Sequence, residues 1–240
     1  MDLDLTIGDI SLIMGTQNYG VCYEPIKDAM SLKTIGYEAL SRFRYKGYLI
    51  PPNRFFMALH NDEDFFFYTE TVLKQFQIEQ RLKDKLLFLN LDPDVSKKHE
   101  QIEFWAELLS KQEDIVIEII ENMEDEDLKD LEKFMKWLDF YGLTYAYDDF
   151  LKPNQLFFKS LLENGSYIKL DMDFIQTIRD DSAYIEFLKG VVKYAHLKGK
   201  KTILEGVENE EDLDIAQDVG VDYVQGYLFK EEFITVWKNK

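Results

Sequence analysis

Short apolar runs alternate along this chain with longer stretches in which hydrophobic residues recur every three to four positions. The strand-length runs are GVCYEPI (20–26), TIGYEAL (34–40), KLLFLNL (85–91), DIVIEII (114–120), LTYAYDDF (143–150), YIKLDM (167–172), KTILEGV (201–207) and DYVQGYLF (222–229). They are dense in β-branched and aromatic residues, as strands require. Helical periodicity covers 51–60, 63–82, 100–112, 123–142, 154–165, 183–199 and 209–220, and Gly142, Gly165, Gly199 and Gly220 stand at helix ends as stop signals. Eight strands with intervening helices in 240 residues match the size of a TIM-type (β/α)8 barrel. A doubly wound open sheet is the competing architecture, but no G-x-G-x-x-G turn follows the first strand. No fixed-period repeat, low-complexity tract or linker divides the chain, so residues 1–240 read as one domain.

Polar side chains interrupt these runs or follow them directly: Glu38, Asn90, Glu118, Asp148, Asp149, Lys169, Asp171, Glu205, Glu208 and Gln225. A single carboxylate of this kind is ordinarily a cap, a surface charge or half of an ion pair. That reading would have to explain nearly every strand end separately. Burying so many carboxylates unpaired is prohibitive, whereas in a barrel the strand ends converge on one face, where residues distant in sequence meet. Oxygen donors in such number suit Mg²⁺ or Mn²⁺. His60, His99 and His196 fall in expected helices or connections, which argues against a zinc site. The adjacent Asp148 and Asp149 point in opposite directions on a strand unless a cation or a turn reconciles them. Lys169 is either part of that chemistry or a counter-ion for the cluster. Arg42 and Arg44 follow Glu38 closely enough to face the same pocket, with a solvated pair as the alternative.

Charge and composition narrow the partners. The formal net charge is -18, from 46 acidic against 28 basic residues, which excludes a broad footprint on a nucleic acid polymer. An anionic substrate therefore needs local cations. One cysteine, Cys22, precludes an internal disulfide, the amino terminus is acidic rather than basic, and no apolar run reaches the roughly 20 residues of a spanning helix. The expectation is a cytoplasmic protein without membrane insertion. The aromatic run Phe65 to Tyr68 is expected in the core, with a partner surface as the alternative.

The elements YEAL (37–40), FLNL (88–91), IEIIEN (117–122), YDDF (147–150), IKLD (168–171), ILEGVEN (203–209) and DYVQGYLF (222–229) occur in an order and spacing that resembles the EAL domains, bacterial phosphodiesterases of cyclic di-GMP. The likeness runs from about Tyr23 to the carboxyl terminus. It implies a modified (β/α)8 barrel with one antiparallel strand and a site at the carboxyl ends of the strands. It also implies two ions, Mg²⁺ or Mn²⁺. Position by position, Glu38, Asn90, Glu118 and Asp148 correspond to ligands of a first ion, and Asp148, Asp149 and Glu205 to those of a second. Lys169 resembles the lysine that orients or deprotonates the attacking water. Glu205, Glu208 and Gln225 join it in the catalytic network, and Arg42, Asp171 and Glu208 match substrate contacts. The implied reaction is hydrolysis of cyclic di-GMP to linear pGpG.

One departure bears on turnover. After DDF the family has a Gly-Thr-Gly-Tyr-Ser-Ser loop, whereas this chain reads LKPNQLFF, with Leu151 and Pro153 where glycines are expected. Neither tolerates positive φ as glycine does. Glu121, which braces that loop in active members, is retained, and Glu24 stands where the family usually has Gln. Two readings follow: a metal-dependent phosphodiesterase, or a receptor or interaction module that binds cyclic di-GMP or a protein without hydrolysis. A homodimer is the family's usual assembly, and the substituted loop lies near that interface. The residues before YEPI are too few for a sensory or cyclase domain, so regulation is expected from expression, partners or assembly.

Overall fold

The computed structural model describes residues 5–119, 128–150 and 164–239. Glu121, Leu151, Pro153 and most of the helix expected over 154–165 lie outside the described residues, as does the side chain of Asp149. The chain opens with α1 (Ile7–Gly15), which the periodicity did not reveal. It is capped by Thr6, whose hydroxyl accepts from Asp9 N–H while the Asp9 carboxylate accepts from Thr6 N–H. Then come β1 (Tyr19–Asp28), β2 (Thr34–Tyr45), β3 (Tyr48–Ile50), α2 (Pro52–Met57), α3 (Glu63–Glu79), β4 (Leu86–Leu91), α4 (His99–Leu109), β5 (Ile115–Ile119) and α5 (Leu128–Phe140). The remainder is β6 (Tyr145–Phe150), β7 (Tyr167–Leu170), α6 (Asp173–Asp180), α7 (Tyr184–Leu197), β8 (Lys201–Leu204), α8 (Glu210–Val219), β9 (Tyr223–Val224) and β10 (Ile234–Trp237).

Eight of these strands close into a barrel. β2, β4, β5, β6, β7, β8 and β9 pair in parallel in that order, and β1 seals the ring by pairing antiparallel with both β2 and β9. The expected TIM-type barrel with one antiparallel strand is what forms. β3 and β10 extend it outside the ring. The last expected strand, 222–229, is curtailed to Tyr223–Val224, because Gly226 breaks the extended backbone and Tyr227–Glu232 turns as a 3₁₀ helix. Gly142, Gly199 and Gly220 follow helix ends with positive φ, as helix stops do, and Gly165 also has positive φ. Of the aromatic run, Phe66 is buried, Phe65 and Phe67 pack partly against the core, and Tyr68 is exposed.

The core has two layers. A large shell packs the helices on the outside of the strands, and a small plug of Ile26, Phe88, Val116, Ala146 and Ile203 fills the barrel. Strand side chains alternate between faces. The residues two positions past the plug therefore point inward as well, one layer nearer the strand ends: Asn90, Glu118, Asp148 and Glu205. On β1, which runs the other way, the equivalent step is backward, from Ile26 to Glu24.

Candidate functional site

That inward layer is a knot of charge around one lysine. The Lys169 ammonium lies 2.7 Å from Glu118, 2.9 Å from Glu205, 3.0 Å from Asp148 and 3.3 Å from Glu38. Lys169 and Glu118 are 1% and 0% exposed, so solvent screens little of this field. Asn90 donates to one oxygen of Glu38 at 2.8 Å and Gln225 to the other at 2.6 Å. β4 and β5 set Asn90 beside Glu118 in register. The β6–β7 register shifts between Tyr147 and Phe150, the interval that holds Asp148 and Asp149. The irregularity falls where two consecutive carboxylates must leave a regular strand.

Four carboxylates facing one ammonium carry more negative charge than the site can hold when all are ionised. Burial pushes the Glu118 carboxyl well above its usual range, aided by the charges of Glu38 and Asp148 against the opposing Lys169. Burial likewise pushes Glu205 up to about 8, with Lys169 opposing. Burial would also raise Glu38, but Lys169 and the amides of Gln225 and Asn90 hold it below the ordinary value. Burial alone would lower Lys169, yet the surrounding carboxylates raise it well above a free lysine. Among the described residues, one Glu118 oxygen faces the Lys169 ammonium at 2.7 Å while the other accepts no hydrogen bond, nor does the Gln225 side-chain oxygen. Surplus buried acceptors of this kind call for additional positive charge. The donors are oxygens, which fits a hard divalent cation. Among the described residues no group of three His, Cys, Asp or Glu side chains is already disposed to hold one, consistent with the ammonium occupying the centre of the cluster.

Other expected site residues sit around this knot. Arg42 does not point free toward substrate: it donates to Glu24 at 2.8 Å. Burial and the charge of Glu38 raise the Glu24 carboxyl against the pull of Arg42. Asp171 is buried and accepts from Asp173 N–H at 2.7 Å, at the start of α6. Glu208 is exposed, outside the knot, and its backbone N–H donates to the buried Asp212, which also pairs with Arg179. Gly206 lets this turn pass Met172: it has φ 70°, and a Cβ there would lie 2.3 Å from the Met172 Cβ. A cleft of about 550 Å³ opens beside the knot, from Glu38, Asn90 and Asp148 across to α2 and α3. Its far side carries Glu70, Lys74 and Asp92, which sequence reasoning missed. The available signal was the i, i+4 acid–base pair Glu70 and Lys74 on a face of α3 that also carries Phe66 and Leu73.

Comparison with known proteins identifies the family and the fold. The family model described as EAL domain matches residues 11–232. Cyclic di-GMP phosphodiesterase TpdA of Vibrio parahaemolyticus is 23% identical over 225 residues, covering 93% of this chain and 39% of TpdA. The chain spans less than half the length of the curated relatives that match along nearly all of it. An EAL domain protein of Listeria monocytogenes superposes with a TM-score of 0.72 at 25% identity, covering 95% of this chain and 93% of that one. Klebsiella pneumoniae BlrP1, solved as a manganese and cyclic di-GMP complex, shares the fold with a TM-score of 0.73 at 22% identity, over 88% of this chain and 55% of its own.

Proposed function

Because this chain belongs to the EAL domain family, we propose that it is a divalent-metal-dependent phosphodiesterase that opens cyclic di-GMP to linear pGpG. The observation that carries the reading is the knot itself: buried carboxylates from β2 and β5 and half-buried ones from β6 and the end of β8 converge on Lys169 with acceptors to spare. Glu38, Asn90, Glu118 and Asp148 would hold one Mg²⁺ or Mn²⁺, and Asp148, Asp149 and Glu205 a second. Bound cations of this kind lower the pKa of a water and take up the negative charge that builds on a phosphodiester under attack.

The protein's own groups supply the rest. The Lys169 ammonium orients the attacking water by donating to it, and the carboxylates around Lys169 keep it protonated for that task. Gln225 and Asn90 fix both oxygens of Glu38, so its carboxylate presents one geometry. Arg42 contacts a substrate phosphate by leaving Glu24, while Asp171 and Glu208 complete the substrate and water network. The same reading takes residues 1–240 as one domain acting in the cytoplasm. A homodimer is the assembly that light scattering would test.

A second reading, a cyclic di-GMP receptor without turnover, is favoured by the replacement of the family's glycine loop at Leu151 and Pro153. One experiment separates the two. Purified protein is incubated with cyclic di-GMP in Mg²⁺, Mn²⁺, Ca²⁺ or EDTA, and pGpG is followed by chromatography. Product in Mg²⁺ or Mn²⁺ that EDTA abolishes supports the phosphodiesterase. Binding without product supports the receptor, and neither binding nor product overturns both.

A further inference from the structure

The wall of the cleft remote from the barrel has no part in the chemistry above, yet it carries an expensive arrangement. Glu70 is 2% exposed on α3 and pairs with the equally buried Lys74 at 2.9 Å, and among the described residues its Oε1 accepts no hydrogen bond. An apolar pair of the same volume would stabilise the helix at least as well. A buried carboxylate oxygen without a partner is a standing cost that a donor from outside would relieve. Asp92, just past the end of β4, adds a second carboxylate to the lining of the same cleft. The neighbouring lining is apolar: the Phe56 and Phe66 rings lie with centroids 6.2 Å apart, tilted 41° to each other, and Met57 is exposed beside them.

This chemistry selects among the parts of a cyclic dinucleotide. Phosphates and ribose-phosphate oxygens bring acceptors and negative charge, which two carboxylates repel. A base brings a flat face suited to an aromatic wall, and its edge bears the donors. Guanine presents N1–H and the N2 amino group side by side, a paired donor edge matched to a carboxylate. Adenine turns an acceptor, N1, toward the same place. We infer that the α2–α3 wall takes one guanine base of the substrate and that Glu70, through Oε1, is a specificity-determining residue for guanine. The inference rests on the proposed function and names the part of the cleft that reads the base.

The test is calorimetric titration of the full chain with cyclic di-GMP, cyclic di-IMP, which lacks the N2 amino groups, and cyclic di-AMP, in Ca²⁺. Wild type is expected to bind cyclic di-GMP about 10- to 100-fold more tightly than either analogue, the worth of hydrogen bonds to a charged acceptor. Glu70→Gln is expected to reduce that preference at least about tenfold while leaving the affinity for cyclic di-AMP within a few-fold. If Glu70→Gln does not fold, Glu70→Gln with Lys74→Met removes both buried charges and gives the same readout. Wild type binding all three equally, or a folded variant that keeps the full preference, overturns the role of Glu70 while the phosphodiesterase reading stands. Binding of none of the three overturns that reading, and this inference with it.

Discussion

At the amino-terminal end of the barrel strands, Asp222 accepts from Lys201 at 2.7 Å and from the Thr202 backbone N–H at 2.9 Å, and pairs with His196 at 2.8 Å. At the carboxyl-terminal end, Lys169 is crowded by Glu38, Glu118, Asp148 and Glu205. The same residue types are in opposite balance. Burial would raise Asp222, but its donors win and hold it below the ordinary carboxylate range. Burial raises Glu118 and Glu205 because one lysine cannot offset the combined charge. An ion cluster that stabilises a fold has a donor for each acceptor. One that awaits a ligand has acceptors left over.

Removing the lysine tests that contrast most severely. In metal-free protein, Lys169→Met is expected to cost roughly 3–5 kcal/mol at pH 8, the penalty for leaving buried charge unpaired, and less at pH 5, where the carboxyls accept protons. Urea unfolding in EDTA at the two pH values measures it.

The two ends also carry opposite pH signatures. Glu205 titrates at about 8 in the folded protein, far above an unfolded glutamate, so between pH 4.5 and 8 the native state binds more protons. Its contribution is present at low pH and lost as pH rises through about 8. Melting in EDTA should therefore show stability falling from pH 5 to 8, by on the order of a few kcal/mol, with the slope reduced in Glu205→Gln. Asp222 has a depressed folded pKa. Its contribution is present above the unfolded aspartate range and lost only on acidification through the folded value.

Asp222→Asn should cost about 1–3 kcal/mol and leave cation affinity unchanged; if it weakened Mn²⁺ binding, the division between the two ends would fail. The smallest effect is expected for Glu24→Gln. Releasing Arg42 from its 2.8 Å ion pair should tighten cyclic di-GMP binding about two- to fivefold in low salt and less in high salt, as a partly exposed pair allows. Fluorescence titration at two ionic strengths reads it.

Much of this was legible in the chain because barrel strands write their inward face at every second position. Phe88 then Asn90, Val116 then Glu118, Ala146 then Asp148, and Ile203 then Glu205 are each a plug residue followed by a residue of the polar layer above it. What escaped had weaker local signals. α1 is a nine-residue helix, too short for its helical periodicity to stand out. β9 is two residues long because Gly226 ends it, which apolar content alone does not show. Glu70 and Lys74 become visible as buried only when the helix face that turns inward is known. The Arg42 partner was hidden for a similar reason: Glu24 and Glu38 face each other only in the antiparallel β1–β2 register.

The most direct test of the central claim is a calorimetric titration of metal-free protein with Mn²⁺, without nucleotide, beside Glu118→Gln and Asp222→Asn. Saturable binding that Glu118→Gln weakens at least about tenfold and Asp222→Asn leaves intact is the expected result. It would mean that the surplus carboxylates at the strand ends are a cation site. No saturable binding, or equal loss in both variants, would contradict it.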